Sequence, residues 1–221
     1  MNEAGFFRPP SPTPAVIPGP VGALEALLEV PDGYDGLHAA VVCHPHPLFG
    51  GTMRNKVVHM AARALQERGF ATLRFNFRGV GGSAGEFDEG RGETQDGAAA
   101  HDFAAALWPQ AKLTLVGFSF GAFIAYNVAG LRAVERLIAI APPVQRFDFH
   151  AHPVPSVPWT VIQGDRDELV DHQEVLRWAH DLNPAPTVRL VADAEHFFHG
   201  RMQELKDAVQ SALVPAETTR P

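Results

Sequence analysis

The stretch "LTLVGFSFGAFIAY", residues 113–126, decides how the rest of the chain is read. Its first half is apolar enough for a buried strand and its second half continues as an apolar helix. Gly117-Phe118-Ser119-Phe120-Gly121 stands at the break. In so sharp a turn, a side chain two residues either side of the serine would collide with neighbouring backbone. The serine itself is forced into a sparsely populated backbone region, at a cost of about 1–3 kcal/mol. What the strain secures is a hydroxyl raised above the sheet, at a helix N-terminus whose dipole favours developing negative charge. G-x-S-x-G between strand and helix is the nucleophile elbow. The alternative is an ordinary glycine-rich turn that happens to hold a serine.

Outward from this point, strand-like and helix-like runs alternate. "VGALEALLEV" predicts an early antiparallel strand, and "GLHAAVVC" a short buried strand ending at His44. Helices are predicted over "KVVHMAARALQERG", "DGAAAHDFAAALW" and "HQEVLRWAHDL", and a last one carries Met202, Leu205, Val209 and Leu213 on one stripe. "ATLRFNF", "ERLIAIAPP", "PWTVIQGD" and "TVRLVAD" read as further strands. The alternation predicts an α/β fold, a mostly parallel sheet with helices on both faces. Residues 1–20 hold six prolines and read as an extended tail. One domain is expected over 21–214, with a flexible tail at 215–221.

The length of 221 residues suits one domain with a real core. A net charge of −7 speaks against nucleic acid or an anionic membrane as partner. The single cysteine, Cys43, excludes an internal disulfide. With no signal-peptide pattern and no membrane-length apolar run, a cytoplasmic protein is expected.

A serine nucleophile needs a base, and the base an orienting acid. Behind an elbow these follow the serine in the order acid, then histidine. "QGDRDELVD" leaves one strand with Asp165, Asp167 and Asp171, and "ADAEHFFHG" leaves the last with His196 and His199. Asp167 is the expected acid, because the chain has by then left the strand and can turn to a neighbouring loop. Asp165 is the runner-up, or a turn-holding residue; Asp193 shares a loop with the histidine it would have to reach. His196 is the expected base and His199 its alternative.

Acyl transfer also needs N–H groups aimed at an oxyanion. One is expected from Phe120, after the nucleophile. The other is expected from the loop His44-Pro45-His46-Pro47-Leu48-Phe49, where the prolines leave the N–H of His46 isolated between them. A rival reading takes His44 and His46 as an H-x-H metal pair, with His150 and His152 as another. The chain is short for the (β/α)₈ barrel that such pairs serve, about 250 residues. Gly79 to Ala84 fits the G-x-G-x-x-G/A dinucleotide pattern but leads into more loop rather than a helix.

The residues resemble the α/β-hydrolase superfamily over nearly the whole chain after residue 20. "GFSFG" resembles its elbow, "QGDRDELV" its acid loop, "AEHFFHG" its histidine loop, and "RFNFRGVGGSAG" its D-x-R-G-x-G-x-S turn with Asn76 in place of Asp. "CHPHPLFGGTM" is similar to the loop of small lidless bacterial serine hydrolases of dienelactone-hydrolase-like size. The resemblance implies that the second oxyanion donor comes from this loop. Relatives that carry a lid insert it after the sixth core strand; here only "VQRFDFHAHPVPSV" joins two strands, so an open pocket is expected. Leu48, Phe49, Phe147 and Phe198 are its candidate lining.

The expected function is a serine hydrolase without cofactor or metal, a carboxylesterase for small or short-acyl esters. Thioesters and amides share the same apparatus, and the partner is a small-molecule acyl substrate. The alternatives are a non-catalytic ligand-binding protein on the same fold, and metal-dependent hydrolysis through His44 and His46.

Overall fold

The computed structural model describes residues 12–214. Eight strands form one sheet in the order β1-β2-β4-β3-β5-β6-β7-β8. They are β1 (Thr13–Gly19), β2 (Gly22–Glu29), β3 (His38–Cys43), β4 (Ala71–Phe75), β5 (Lys112–Phe118), β6 (Arg136–Ile140), β7 (Trp159–Gly164) and β8 (Thr187–Val191). The strands from β3 to β8 run parallel, while β2 is antiparallel to both β1 and β4. Five helices cover the sheet: α1 (Lys56–Gln66), α2 (Arg91–Leu107), α3 (Phe120–Leu131), α4 (His172–Asp181) and α5 (Met202–Ala212).

The pleat sorts the core into two layers. Ala39, Val41 and Cys43 of β3 pack with buried residues of α2, α3 and α4. Ala40 and Val42 point the other way and pack with α1 and α5. Both faces of the central parallel strands are therefore covered, which is why β3, β5 and β6 are mostly apolar instead of alternating, while β8 at the edge is partly exposed and carries Thr187 and Arg189. The helices start where the chain offers acceptors for their first N–H groups. Asn55 caps α1 by accepting from Val57 N–H, and Asp171 caps α4 through Gln173 N–H. Helix α2 begins five residues before Asp96, because the Glu93 carboxylate accepts from Gly90 N–H (2.7 Å) and Asp88 N–H (2.8 Å).

The expected tail over residues 1–20 is corrected in part. Thr13 to Gly19 form β1, paired in register with β2 from Thr13↔Leu28 to Gly19↔Gly22. The sheet thus begins at Thr13, and Ile17 is fully buried in the core. Prolines 14 and 18 are tolerated because β1 is an edge strand, where half of the backbone N–H groups have no ladder partner. The tails expected at residues 1–11 and 215–221 lie outside the described residues.

The turn after β4 is held by polar groups. Asn76 Nδ2 donates to Glu25 Oε2 (2.8 Å), and its Oδ1 accepts from Met53 N–H (2.8 Å). An aspartate at 76 would set two carboxylates against each other, which accounts for asparagine here. Gly79 N–H donates back to Ala84 O (3.2 Å), and Gly82 N–H to Glu25 Oε2 (2.9 Å). The glycine-rich stretch closes on itself around a carboxylate, an arrangement opposite to a phosphate cradle. Buried Arg78 then ties the loop to Asp96 of α2 through Nε (3.0 Å) and Nη2 (2.8 Å).

The sheet order reverses at β3: the chain crosses to β4 on one side, then back to β5 on the other. Such a switch point opens a crevice at the carboxyl ends of its strands. The loops carrying His46 and Ser119 leave from there. Residues 141–158 join β6 to β7 with a single 3₁₀ turn at Phe149–Ala151, so this link supplies no lid over the crevice. Among the described residues no helix is long and apolar enough to cross a membrane.

Candidate active site

Ser119 stands between β5 and α3 with φ 53° and ψ −120°. A Cβ at Gly117 would lie 2.0 Å from Gly121 O, and one at Gly121 2.3 Å from Cys43 O. Both glycines are thus demanded by backbone contact. The second contact also sets the first turn of α3 against the end of β3. Ser119 N–H donates to Ile140 O (2.8 Å), which pins the strained residue to the neighbouring strand.

His196, after β8, reaches Ser119 Oγ through Nε2 (3.1 Å) and Asp167 Oδ2 through Nδ1 (2.8 Å). The Asp167 side chain is fully buried. Its Oδ2 also accepts from Gln163 Nε2 (2.9 Å), and its Oδ1 from Leu169 N–H (2.9 Å) and Val170 N–H (2.8 Å). Burial pushes the carboxyl's pKa up, but the His196 contact and the N–H groups of Val170 and Leu169 outweigh it and hold the group below its ordinary value. His196 is fixed from two more sides. Its N–H donates to Glu168 Oε2 (3.1 Å), and the Phe118 ring lies 5.1 Å away at 37°.

The competing residues are engaged elsewhere. Asp165 accepts from Asp193 N–H (2.7 Å) and holds the turn. Asp193 pairs with Arg166 and Arg201. His199 is exposed beside Glu195. His44 is fully buried, with Nδ1 donating to Pro45 O (2.6 Å) and Nε2 accepting from Phe77 N–H (3.0 Å). Burial lowers its pKa to about 4. With both ring nitrogens taken, His44 cannot serve as half of a metal pair; it ties the β3 loop to the turn after β4.

The same loop brings His46 to the crevice. Prolines flank it, and neither its N–H nor that of Phe120 has an acceptor among the described residues. Its ring packs against Phe49 (4.8 Å), Phe87 (4.8 Å) and Phe120 (5.0 Å). Burial, then the charge of Arg146, lowers the His46 pKa, so the ring is neutral. Its Nδ1 accepts from Leu48 N–H (3.2 Å), which leaves the proton on Nε2.

Above Ser119 and His196 lies a cavity of about 360 Å³, near the small end of ligand sites. Phe49 and Phe147 line it. Two expectations are corrected. Phe198 is fully buried with α1 and α5 on the opposite face of the sheet, and its neighbour Phe197 takes the place in the cavity. Leu48 points away and is 67% exposed. Sequence reasoning missed Arg146 and Asn55, which also line the cavity. Neither sits in a motif, and Asn55 serves as the cap of α1.

Comparison with known proteins finds relatives of the same fold. The family model described as X-Pro dipeptidyl-peptidase (S15 family) matches residues 24–157. A Xanthomonas campestris protein, described as an α/β serine hydrolase without lid, is 42% identical; the match covers 96% of this chain and 98% of that one, with a TM-score of 0.88. An α/β serine hydrolase homologue from Coxiella burnetii is 40% identical over 95% of this chain and 100% of that one, with a TM-score of 0.89. An uncharacterized protein of Rickettsia prowazekii is 37% identical over 189 residues, 81% of this chain and 79% of its own.

Proposed function

The chain belongs to the lidless α/β serine hydrolases and, by its core, to the S15 family, and from that premise we propose that it is a carboxylesterase for small or short-acyl esters. One observation carries the reading: an unbroken line of hydrogen bonds from Ser119 through His196 to buried Asp167, opening on a small apolar cavity. Ser119 Oγ attacks the ester carbonyl while His196 Nε2 takes its proton. Asp167 holds the Nδ1 tautomer and stabilises the imidazolium that forms. The N–H groups of His46 and Phe120 receive the negative oxygen of the tetrahedral intermediate. His196 then protonates the leaving alcohol, and water, activated by the same nitrogen, releases the acid from Ser119.

Small esters suit the cavity's volume and the lidless link after β6. The S15 match makes a peptide bond the second candidate. Among the described residues no carboxylate lines the cavity to receive the amino terminus that a dipeptidyl-peptidase must bind, and Arg146 would repel it. A non-catalytic binding protein is the reading from another class. Purified protein assayed on p-nitrophenyl butyrate beside Ser119→Ala separates them. The wild type is expected to turn over and the variant to lose at least about 10³-fold in kcat. Equal rates, or none in either, would overturn the esterase.

A further inference from the structure

The polar groups that border the cavity, apart from Ser119 and His196, have a common character. Asn55 Oδ1 is occupied by Val57 N–H, so the face left over is its Nδ2 donor pair. His46 has its proton on Nε2, because Nδ1 accepts from Leu48. Arg146, on the short link after β6, is exposed, and its guanidinium has no hydrogen bond or ion pair among the described residues. Its charge is nonetheless felt across the cavity, at the ring of His46. No aspartate or glutamate among the described residues lines the space. A cavity with apolar walls, three unspent donors and one unpaired cation lacks only an acceptor.

We infer that the cavity selects esters bearing a carboxylate, with Arg146 as the residue that recognises it and Asn55 and His46 supplying further donors. A guanidinium presents a planar fork that matches a carboxylate bidentately, which a lysine ammonium does not. Phe49 and Phe147 line the same cavity, so the carbon chain of such an ester meets apolar surface while its charge meets Arg146. The protein's overall charge of −7 repels anions at long range, so the selection is local and belongs in KM. The inference rests on the esterase reading and extends it to a substrate class.

The test uses the full chain and two matched pairs of esters. Mono-p-nitrophenyl adipate against p-nitrophenyl hexanoate places the carboxylate in the acid half; 4-carboxyphenyl butyrate against 4-carbamoylphenyl butyrate places it in the alcohol half. In at least one pair the anionic ester is expected to show about tenfold higher kcat/KM, carried by KM. Arg146→Gln should collapse that ratio to about one, Arg146→Lys should keep part of it, and 0.5 M salt should shrink it in the wild type. A wild-type ratio at or below one in both pairs overturns the inference, and so does a ratio that Arg146→Gln leaves intact. If none of the four esters is hydrolysed, the esterase reading fails; if the neutral esters are hydrolysed as well as the anionic ones, the substrate class fails alone.

Discussion

The two walls of the crevice follow opposite rules. On the β7–β8 wall, the side-chain polar atoms of Asp167 and His196 are all committed to one another, to Ser119, to Gln163 and to backbone N–H groups. On the β3–β6 wall, donors are left over at His46, Phe120, Asn55 and Arg146. A satisfied buried network is stiff, so the first wall is set before any ligand arrives. The second holds its hydrogen-bonding capacity in reserve, where it can be used on charge that develops or enters.

The sharpest way to break this contrast is to unsettle the committed wall. Asp167→Asn keeps the shape but offers the wrong group to His196 Nδ1, and kcat on p-nitrophenyl butyrate should fall by about 10³- to 10⁴-fold. Asp165→Asn touches only the turn and should cost less than about tenfold. The reverse order would move the acid to Asp165. A smaller effect is expected behind the other wall. Asn76→Asp places a second carboxylate against Glu25, and urea denaturation should show a loss of about 1–3 kcal/mol. Unchanged stability would mean that the turn after β4 does not support the loop toward Asn55.

Smaller again is the pH response of His44. Its pKa is about 4 in the folded chain, against an ordinary 6.5. Above pH 6.5 both folded and unfolded forms are neutral there, and the group has no effect. Between 6.5 and 4 the unfolded chain binds a proton that the folded chain lacks, so stability falls with pH by up to about 1.4 kcal/mol per unit. His44→Asn should be less stable at pH 7 yet lose less between pH 7 and pH 5. Equal losses would remove His44 as the source. Least of all is Leu48→Ser, expected to change stability by under about 0.5 kcal/mol and kcat/KM by under twofold.

The elbow could be read from sequence because both glycines are demanded within one pentapeptide: Gly117 answers to Gly121 O across the turn, and Gly121 to Cys43 O at the end of the neighbouring strand. Asp167 and His196 were readable because chain order and strand ends limit which loops can meet. Phe197 and Phe198 could not be told apart. Phe198 adopts φ 54°, and that one torsion decides which ring faces the cavity. Arg146 was invisible because a loop residue has no periodicity, and its meaning arises only from where the link after β6 lies. The strand β1 was hidden by its own prolines, which read as a tail until β2 is known to lie beside them.

Those prolines have a consequence for how molecules meet one another. Since Gly19 pairs with Gly22 beside the turn, residues 13, 15 and 17 turn their backbone groups toward β2 and residues 14, 16 and 18 turn theirs outward. Along that outer margin Pro14 and Pro18 have no hydrogen to give, and only Val16 does. An incoming strand from another copy would find one donor where three are needed. At this margin the sheet is closed to further growth, and the protein is guarded there against edge-to-edge aggregation at high concentration.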